Sequence, residues 1–467
     1  MKKTLLYIFI SATLLAGCSS DTLPAGSPTV ENQYITSHHG VENGMLTADF
    51  WLKNIGNNGT DVLFSVEKIS DLSPDNAVTA PSGEKIIVSQ LEDNIPGELL
   101  KQLLSVYPKD HTGYYIDNQP ASGDYWNEII NNINADMVPG TVGVRYGYSV
   151  TNTAVRVFPS NKLIAEKPDY YYYDANARSE CPPMSAVAVL HESLDGKWLY
   201  IVCNNYGGWV EKDCIAFCNS RQEWLGRMNP AEFLTVTAKQ LQLCYDPYFP
   251  QLSQINFPMG TKLPLVPAGE IPDNLNNRVT YGNYVVRIPI RNSDGFIQDI
   301  YGMIPVSEDV TVGYCDFSYR NMLLQSLKHL GRPYGWAGIN NTTDCSGFVN
   351  EVFSCFGFAL PRSSSEQVKS IPSKHINIEG CTNDKRAEIF SQLKTGDLLY
   401  FPGHIMIYLG LYNDNHYVIS AVNTIAEMSD GNMQIKDVNS VVISNMNCVF
   451  RANGQTWYEC ITDILHW

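Results

Sequence analysis

Two segments in the last third of the chain constrain its fold most, TDCSGF at 343–348 and PGHIMIYLG at 402–410. Behind Cys345 the apolar residues recur at helical spacing, at Phe348, Val349, Val352, Phe353 and Phe356. Cys345 is therefore predicted to begin a helix, where unpaired backbone amides favour an anion. His404 follows a Pro-Gly turn and opens an alternating run, which predicts a β-strand.

A thiol at a helix start beside an imidazole is typical of nucleophilic catalysis. Such a thiol becomes a thiolate that attacks a carbonyl carbon. We therefore predict Cys345 as the nucleophile and His404 as its base, with the amide of Cys345 among the groups that stabilise the oxyanion. These residues alone indicate a cysteine hydrolase or acyltransferase.

Several motifs in order strengthen this interpretation. They are YGWAG at 334–338, TDCSGFV at 343–349, ALPRSSSEQ at 359–367 and TGDLLYFPGHIMIYLG at 395–410. This series resembles the NlpC/P60 family of papain-like cell-wall cysteine peptidases, in particular secreted members with two bacterial SH3-like domains ahead of the catalytic domain. The resemblance implies an α+β multidomain chain with a papain-like catalytic domain at 316–467.

The resemblance also implies substrate-binding residues around the cysteine. Tyr334 and Trp336 would line the cleft, while Asp344 and Ser346 would flank the nucleophile and bind the amine of the substrate. Tyr206, from the first SH3-like domain, would help to bind the free amino end. Two alternatives stay open at this point, Asp344 as the N-cap of the helix and Tyr206 as an ordinary turn aromatic.

The third member of the catalytic set departs from the family pattern. Related enzymes place a histidine on the strand after the base, whereas the matching position in YVISA is Ser420. Asn423 is a possible substitute acceptor. His416 is excluded because the predicted hairpin tip at 413–415 puts it at the far end of the strand pair from His404.

By resemblance, the substrate is a peptidoglycan stem peptide with a free L-alanine amine, cut between γ-D-glutamate and the diamino acid. Two alternatives remain, a peptidoglycan-binding lipoprotein with weakened catalysis and an amidase or acyltransferase on the same fold. Cys214 and Cys218 lack a matching second pair of ligands, so no metal is predicted, and no organic cofactor is implied.

The N-terminus predicts export. Residues 1–17 combine two lysines with a short apolar run, which is typical of a secretory signal, and the ending LLAGC resembles a bacterial lipoprotein box. Cys18 would then carry the lipid, and residues 18–40 would form a tether to the membrane at the periplasm or cell envelope. The alternative is an ordinary signal that happens to end in cysteine.

The chain of 467 residues is too long for one core. We predict a mostly helical stabilising segment at 41–138, a first SH3-like barrel at 139–222 and a second at 231–312, since short β-rich runs separated by glycine turns indicate small barrels. The formal net charge of −16 argues against nucleic acid as a partner.

Overall fold

The computed structural model describes residues 40–53, 55–429 and 431–467. The predicted signal at 1–17, Cys18 and the tether 18–40, except for its last residue, lie outside the described residues. In the part of the chain that is described, no helix combines the length and the apolar character needed to span a bilayer.

The N-terminal segment divides between two hydrophobic cores. Trp51, Leu52 and Ile69 are buried in the same core as the catalytic domain, whereas Leu100 and Trp126 are buried against the first barrel. The segment therefore packs against both the catalytic domain and the first barrel. Its helices are α1 (Ala48–Leu52), α2 (Val66–Leu72), α3 (Gly97–Leu104) and α4 (Gly123–Asn132), with short strands β1 (Val78–Thr79), β2 (Lys85–Ile86), β3 (Asn94–Pro96), β4 (Tyr115–Ile116) and β5 (Gln119–Pro120).

An antiparallel sheet with the order β13-β7-β10-β11-β12-β8-β9 forms the first barrel. Every residue of its strand Trp198–Cys203 is buried, because one face closes the barrel core and the other packs under α3 and α4. The elements are β6 (Thr141–Gly143), β7 (Arg145–Ser149), β8 (Thr153–Arg156), β9 (Ala177–Cys181), β10 (Ala186–Glu192), β11 (Trp198–Cys203), β12 (Tyr206–Glu211), β13 (Ile215–Phe217) and α5 (Arg221–Met228).

A second β unit follows, built from smaller antiparallel sheets around its own apolar core. Its assignment as SH3-like stays a prediction from the sequence. The strands are β14 (Phe233–Val236), β15 (Gln240–Gln242), β16 (Asn256–Pro258), β17 (Lys262–Pro264), β18 (Asn274–Leu275), β19 (Arg278–Val279), β20 (Asn283–Arg291), β21 (Ile297–Pro305) and β22 (Val310–Val312).

The C-terminal domain packs helices against both faces of a mixed-length antiparallel sheet with the order β23-β29-β24-β25-β26-β27. One face buries the apolar side of α7 and the other covers α9 and α10. The elements are α6 (Tyr319–Leu327), α7 (Cys345–Ser354), α8 (Ser364–Gln367), β23 (His375–Asn377), α9 (Asn383–Phe390), β24 (Leu398–Phe401), β25 (His404–Tyr412), β26 (Asn415–Ser429), β27 (Asn432–Asn445), β28 (Val449–Phe450), α10 (Trp457–Cys460) and β29 (Asp463–Leu465).

Local signals fix where the two key elements begin. The Asp344 side chain accepts a hydrogen bond from the Gly347 amide and so caps α7. Between β24 and β25, Phe401 pairs with His404 across a two-residue turn whose second residue, Gly403, has φ +93°. A Pro-Gly pair suits such a turn because proline fixes φ at its first position and glycine tolerates positive φ at the second. Cys345 and His404 thus each open an element.

Replacing Trp51 tests whether the N-terminal segment stabilises the sheet of the catalytic domain. Its indole donates to the Met45 carbonyl at 2.7 Å and its ring lies 5.5 Å from that of Tyr417 on β26. We expect Trp51→Ala to lower the protection free energy of β25 and β26 amides by about 3–5 kcal/mol, because a large buried side chain is lost. Native-state hydrogen exchange measures this change.

Val62→Ala is the control, since Val62 is 54% exposed in the same segment. It should change protection by less than about 0.5 kcal/mol. Equal protection in the Trp51 variant and the wild type would show that the segment does not support the catalytic sheet.

Candidate active site

A cleft of about 490 Å³ brings Cys345 and His404 together. Five other residues named in the sequence analysis also line it, namely Tyr334, Trp336, Asp344, Ser346 and Asn423. The wall is completed by residues that the sequence analysis did not single out, including Arg178, Arg362, Phe401, Arg451 and Trp457. The helix start and the strand start therefore face the same space.

The sulfur of Cys345 lies among backbone amides. The amides of Ile405 and Ser346 lie close enough to lower the pKa of the thiol, and Ile405 is the residue directly after His404. At the start of α7, the Gly347 and Phe348 amides are already bonded to Asp344. The Cys345 amide, which makes no hydrogen bond among the described residues, remains available to an oxyanion.

The imidazole ring of His404 is hydrogen-bonded to Ser420. The imidazole Nε2 and the Ser420 hydroxyl are 3.0 Å apart, and Ser420 is fully buried. On its flanks the ring packs against Phe401 and Trp457, with centroids 5.5 and 5.2 Å away. These contacts fix the ring and leave Nδ1 without a hydrogen bond within the described residues.

The other two candidates for the third position do not contact His404. Asn423 accepts from the Tyr170 hydroxyl at 3.1 Å and donates to Asn439. His416 pairs with Leu411 next to the hairpin tip, and its Nδ1 bonds the Tyr408 hydroxyl at 2.9 Å. Ser420 is thus the polar side chain that the structure brings to the imidazole.

Asp344 lines the cleft with a carboxylate that is already hydrogen-bonded, and its predicted binding of the substrate amine stays a prediction. Its Oδ1 accepts from the Gly347 amide at 2.7 Å, from Arg362 at 3.1 Å and from the Ser346 hydroxyl at 3.2 Å. Its Oδ2 accepts from Arg362 at 2.6 Å and from the Ala337 amide at 3.1 Å. A carboxylate offers about four lone-pair positions, so these five hydrogen bonds occupy all the acceptor capacity of Asp344.

Arg362 is the residue that the sequence analysis missed. Besides Asp344, its guanidinium donates to the hydroxyls of Ser346 at 2.7 Å and of Ser179 at 2.9 Å. Ser179 belongs to the first barrel, so Arg362 joins the cysteine helix to that barrel. The run ALPRSSSEQ was part of the family signal, but nothing local in it identifies the partner of the arginine.

The first barrel also supplies a wall of the cleft. The indole of Trp336 donates to the Ala177 carbonyl at 3.1 Å, and its ring lies 4.5 Å from Tyr173. Its backbone amide bonds the Tyr172 carbonyl at 3.0 Å. The loop that leads into β9 therefore covers one side of the cleft.

Tyr206 is not part of this wall, which corrects its predicted position. Its hydroxyl donates to the Glu180 carbonyl at 3.2 Å, and its ring packs against the core of the first barrel. It lines a separate cavity between the domains, which shares Arg362 with the cleft. Register explains the error, because the strand β12 could be read from the sequence but the direction of its first side chain could not.

The reacting pair is uncharged at neutral pH. Burial raises the pKa of the Cys345 thiol to about 12, with the neighbouring Asp344 carboxylate acting in the same direction. Burial lowers the pKa of His404 to about 4, and the charge of Arg451 adds to this effect. Burial therefore favours the uncharged thiol and the uncharged imidazole.

Comparisons with known proteins agree with this geometry. Residues 331–451 match the NlpC/P60 family, and residues 165–211 match the SH3 domain of the SH3b1 type.

The chain is 36% identical over 102 residues to the probable endopeptidase p60 of Listeria welshimeri, and the match covers 21% of this chain and 17% of that protein. It is 31% identical over 90 residues to the gamma-D-glutamyl-L-lysine dipeptidyl-peptidase of Bacillus subtilis (strain 168), covering 17% and 26%. The chain thus spans less than a fifth of the first relative's length.

A solved structure shares the overall fold. The NlpC/P60 endopeptidase from Photobacterium damselae subsp. piscicida aligns with a TM-score of 0.67 at 18% identity, covering 88% of this chain and 95% of that one. The papain-like α+β architecture predicted from the sequence is confirmed. The chain therefore contains an NlpC/P60 domain at residues 331–451, with an SH3 domain of the SH3b1 type ahead of it at residues 165–211.

Proposed function

We propose that this chain is a cysteine peptidase that cleaves peptidoglycan stem peptides between γ-D-glutamate and the diamino acid. The observation that carries the proposal is the shared cleft of Cys345 and His404, in which Ser420 holds the imidazole at 3.0 Å. The match to the NlpC/P60 family and the endopeptidase relatives support a cell-wall peptide as the substrate.

The first half of the reaction transfers the acyl group to the cysteine. Because the thiol and the imidazole start uncharged, His404 takes the proton of Cys345 as the sulfur attacks the γ-carbonyl carbon. The amide of Cys345 donates to the oxyanion at the start of α7. The imidazolium then gives its proton to the departing amine, which leaves a thioester on Cys345.

Water completes the second half. His404 is neutral again and removes a proton from a water molecule that attacks the thioester carbon. The collapse of that intermediate releases the γ-D-glutamyl product and returns the proton to the sulfur. Ser420 keeps the ring oriented in both halves, but as an uncharged partner it stabilises the imidazolium less than a carboxylate would.

The cleft wall favours peptides that carry negative charge. It contains Arg178, Arg362 and Arg451, whereas its acidic residue Asp344 is already paired with Arg362. A requirement for a free L-alanine amine is a finer part of the proposal, and binding that amine at Asp344 would require Arg362 to move. The lipid at Cys18 and the location at the cell envelope stay predictions from the sequence.

The peptide L-Ala-γ-D-Glu-meso-diaminopimelate tests the proposal. We expect the wild-type chain to release diaminopimelate and the dipeptide, detected by mass spectrometry, and Cys345→Ala to abolish release. Ser420→Ala should lower kcat/KM by about 2- to 10-fold, because one hydrogen bond to the base is lost. Ser444→Ala is the matched control, since Ser444 is a fully buried serine on the adjacent strand β27.

Other outcomes separate the alternatives. Binding of the peptide without cleavage by the wild type would favour a peptidoglycan-binding protein, and turnover of a different amide would favour an amidase or acyltransferase. Cleavage that persists in Cys345→Ala would contradict the thiol mechanism.

The charge state of the pair predicts how Cys345 reacts with iodoacetamide. Below the raised pKa of about 12, the thiolate fraction increases with pH, so the alkylation rate should rise about tenfold per pH unit between pH 6 and 9. Mass spectrometry of the peptide that contains Cys345 separates it from the other thiols. A rate that stays level over this range would instead indicate a preformed thiolate–imidazolium pair.

A further inference from the structure

Arg451 stands out among the three arginines of the cleft wall. Arg362 is paired with Asp344, and Arg178 donates to the backbone carbonyls of Gly207 and Val106. The guanidinium of Arg451 has no oxygen acceptor among the described residues. It lies over the ring of Phe401, 4.8 Å from the centroid, and close to the sulfur of Cys460.

The position of Arg451 beside the base is fixed by packing. The guanidinium of Arg451 stacks on the ring of Phe401, which is the direct cross-strand partner of His404. The backbone of Arg451 is held by its own turn, in which its amide bonds the Gln455 carbonyl at 2.9 Å and its carbonyl accepts from Gly454 at 2.9 Å. The cation is close enough to lower the pKa of His404. Arg451 therefore lies beside the base in the wall of the same cleft.

A fixed cation without an acceptor matches a carboxylate of the ligand. An arginine fork binds a carboxylate through charge-assisted hydrogen bonds, and the aromatic ring beneath it holds the fork in place. The formal net charge of −16 gives the chain no general attraction for anions, so an anionic peptide needs a local cation of this kind.

We propose that Arg451 is a specificity residue that binds a substrate carboxylate next to the scissile amide. The inference rests on the proposed function for the identity of the peptide. In a stem peptide that continues to D-alanine, two free carboxylates lie on the residues joined by that amide, the α-carboxylate of D-glutamate and the carboxylate at the far end of diaminopimelate, which lysine lacks. The two sources share one chemistry, and matched peptides distinguish them.

Binding measurements test the proposal without turnover. In the Cys345→Ala background, isothermal titration compares the tetrapeptide L-Ala-γ-D-Glu-meso-diaminopimelyl-D-Ala, in which the nearer carboxyl group of diaminopimelate is in an amide bond, with two analogues. One has D-isoglutamine in place of D-glutamate and the other has L-lysine in place of diaminopimelate. We expect one analogue to bind about 10- to 100-fold more weakly, as the loss of a charge-assisted pair predicts. The analogue affected identifies the carboxylate.

Adding Arg451→Gln should remove that difference, because it weakens the binding of both peptides that keep the carboxylate and leaves the affinity of the analogue that lacks it unchanged. Arg278→Gln, on β19 of the second β unit, removes the same charge elsewhere and should leave the difference intact. The proposal is overturned if the analogues bind equally well, if no peptide binds, or if the difference survives Arg451→Gln. If the wild-type chain binds the peptide through Arg451 but does not cleave it, the peptidase proposal fails and the carboxylate-binding role of Arg451 stands.

Discussion

The buried ion pair between Asp344 and Arg362 is the interaction on which the arrangement of the cleft depends. Asp344 caps the cysteine helix and holds the Ala337 amide, while Arg362 reaches the Ser179 hydroxyl of the first barrel. The backbone amide of Arg362 also donates to the side-chain oxygen of Asn205 at 2.9 Å. One pair of charges thus joins the helix start, the loop before it and the neighbouring domain. Removing one member of a buried ion pair is costly, because the other charge then stays buried with neither water nor a partner to stabilise it.

This pair also determines the electrostatics of the reaction. The Asp344 carboxylate caps the helix and is compensated by Arg362, so an amine could pair with it only if Arg362 moved. The cleft is left with cationic side chains and an uncharged thiol and imidazole. A substrate with carboxylates fits that balance, and proton transfer to His404 accompanies attack in place of preceding it.

Local signals made the core of the site predictable. The cap, the helical spacing behind Cys345 and the Pro-Gly turn before His404 act over a few residues, so the sequence could specify both elements. The position of Ser420 came from the resemblance to related enzymes. The occupancy of Asp344 could not be predicted, since its partner Arg362 arrives from another loop. Tyr206 was assigned to the wrong cavity because a strand pattern does not say which side its first residue faces. The division of segment 41–138 between two cores likewise depends on tertiary contacts that no periodicity encodes.

A double-mutant cycle on the ion pair tests this account most directly. Asp344→Asn keeps a capping oxygen but removes the charge, and Arg362→Gln removes the partner. The free energies of opening of α7, measured by hydrogen exchange in both single variants and in the double variant, give the coupling energy. The account predicts a coupling of about 1–3 kcal/mol, whereas effects that add to within about 0.5 kcal/mol would show that the two charges do not hold the cleft together.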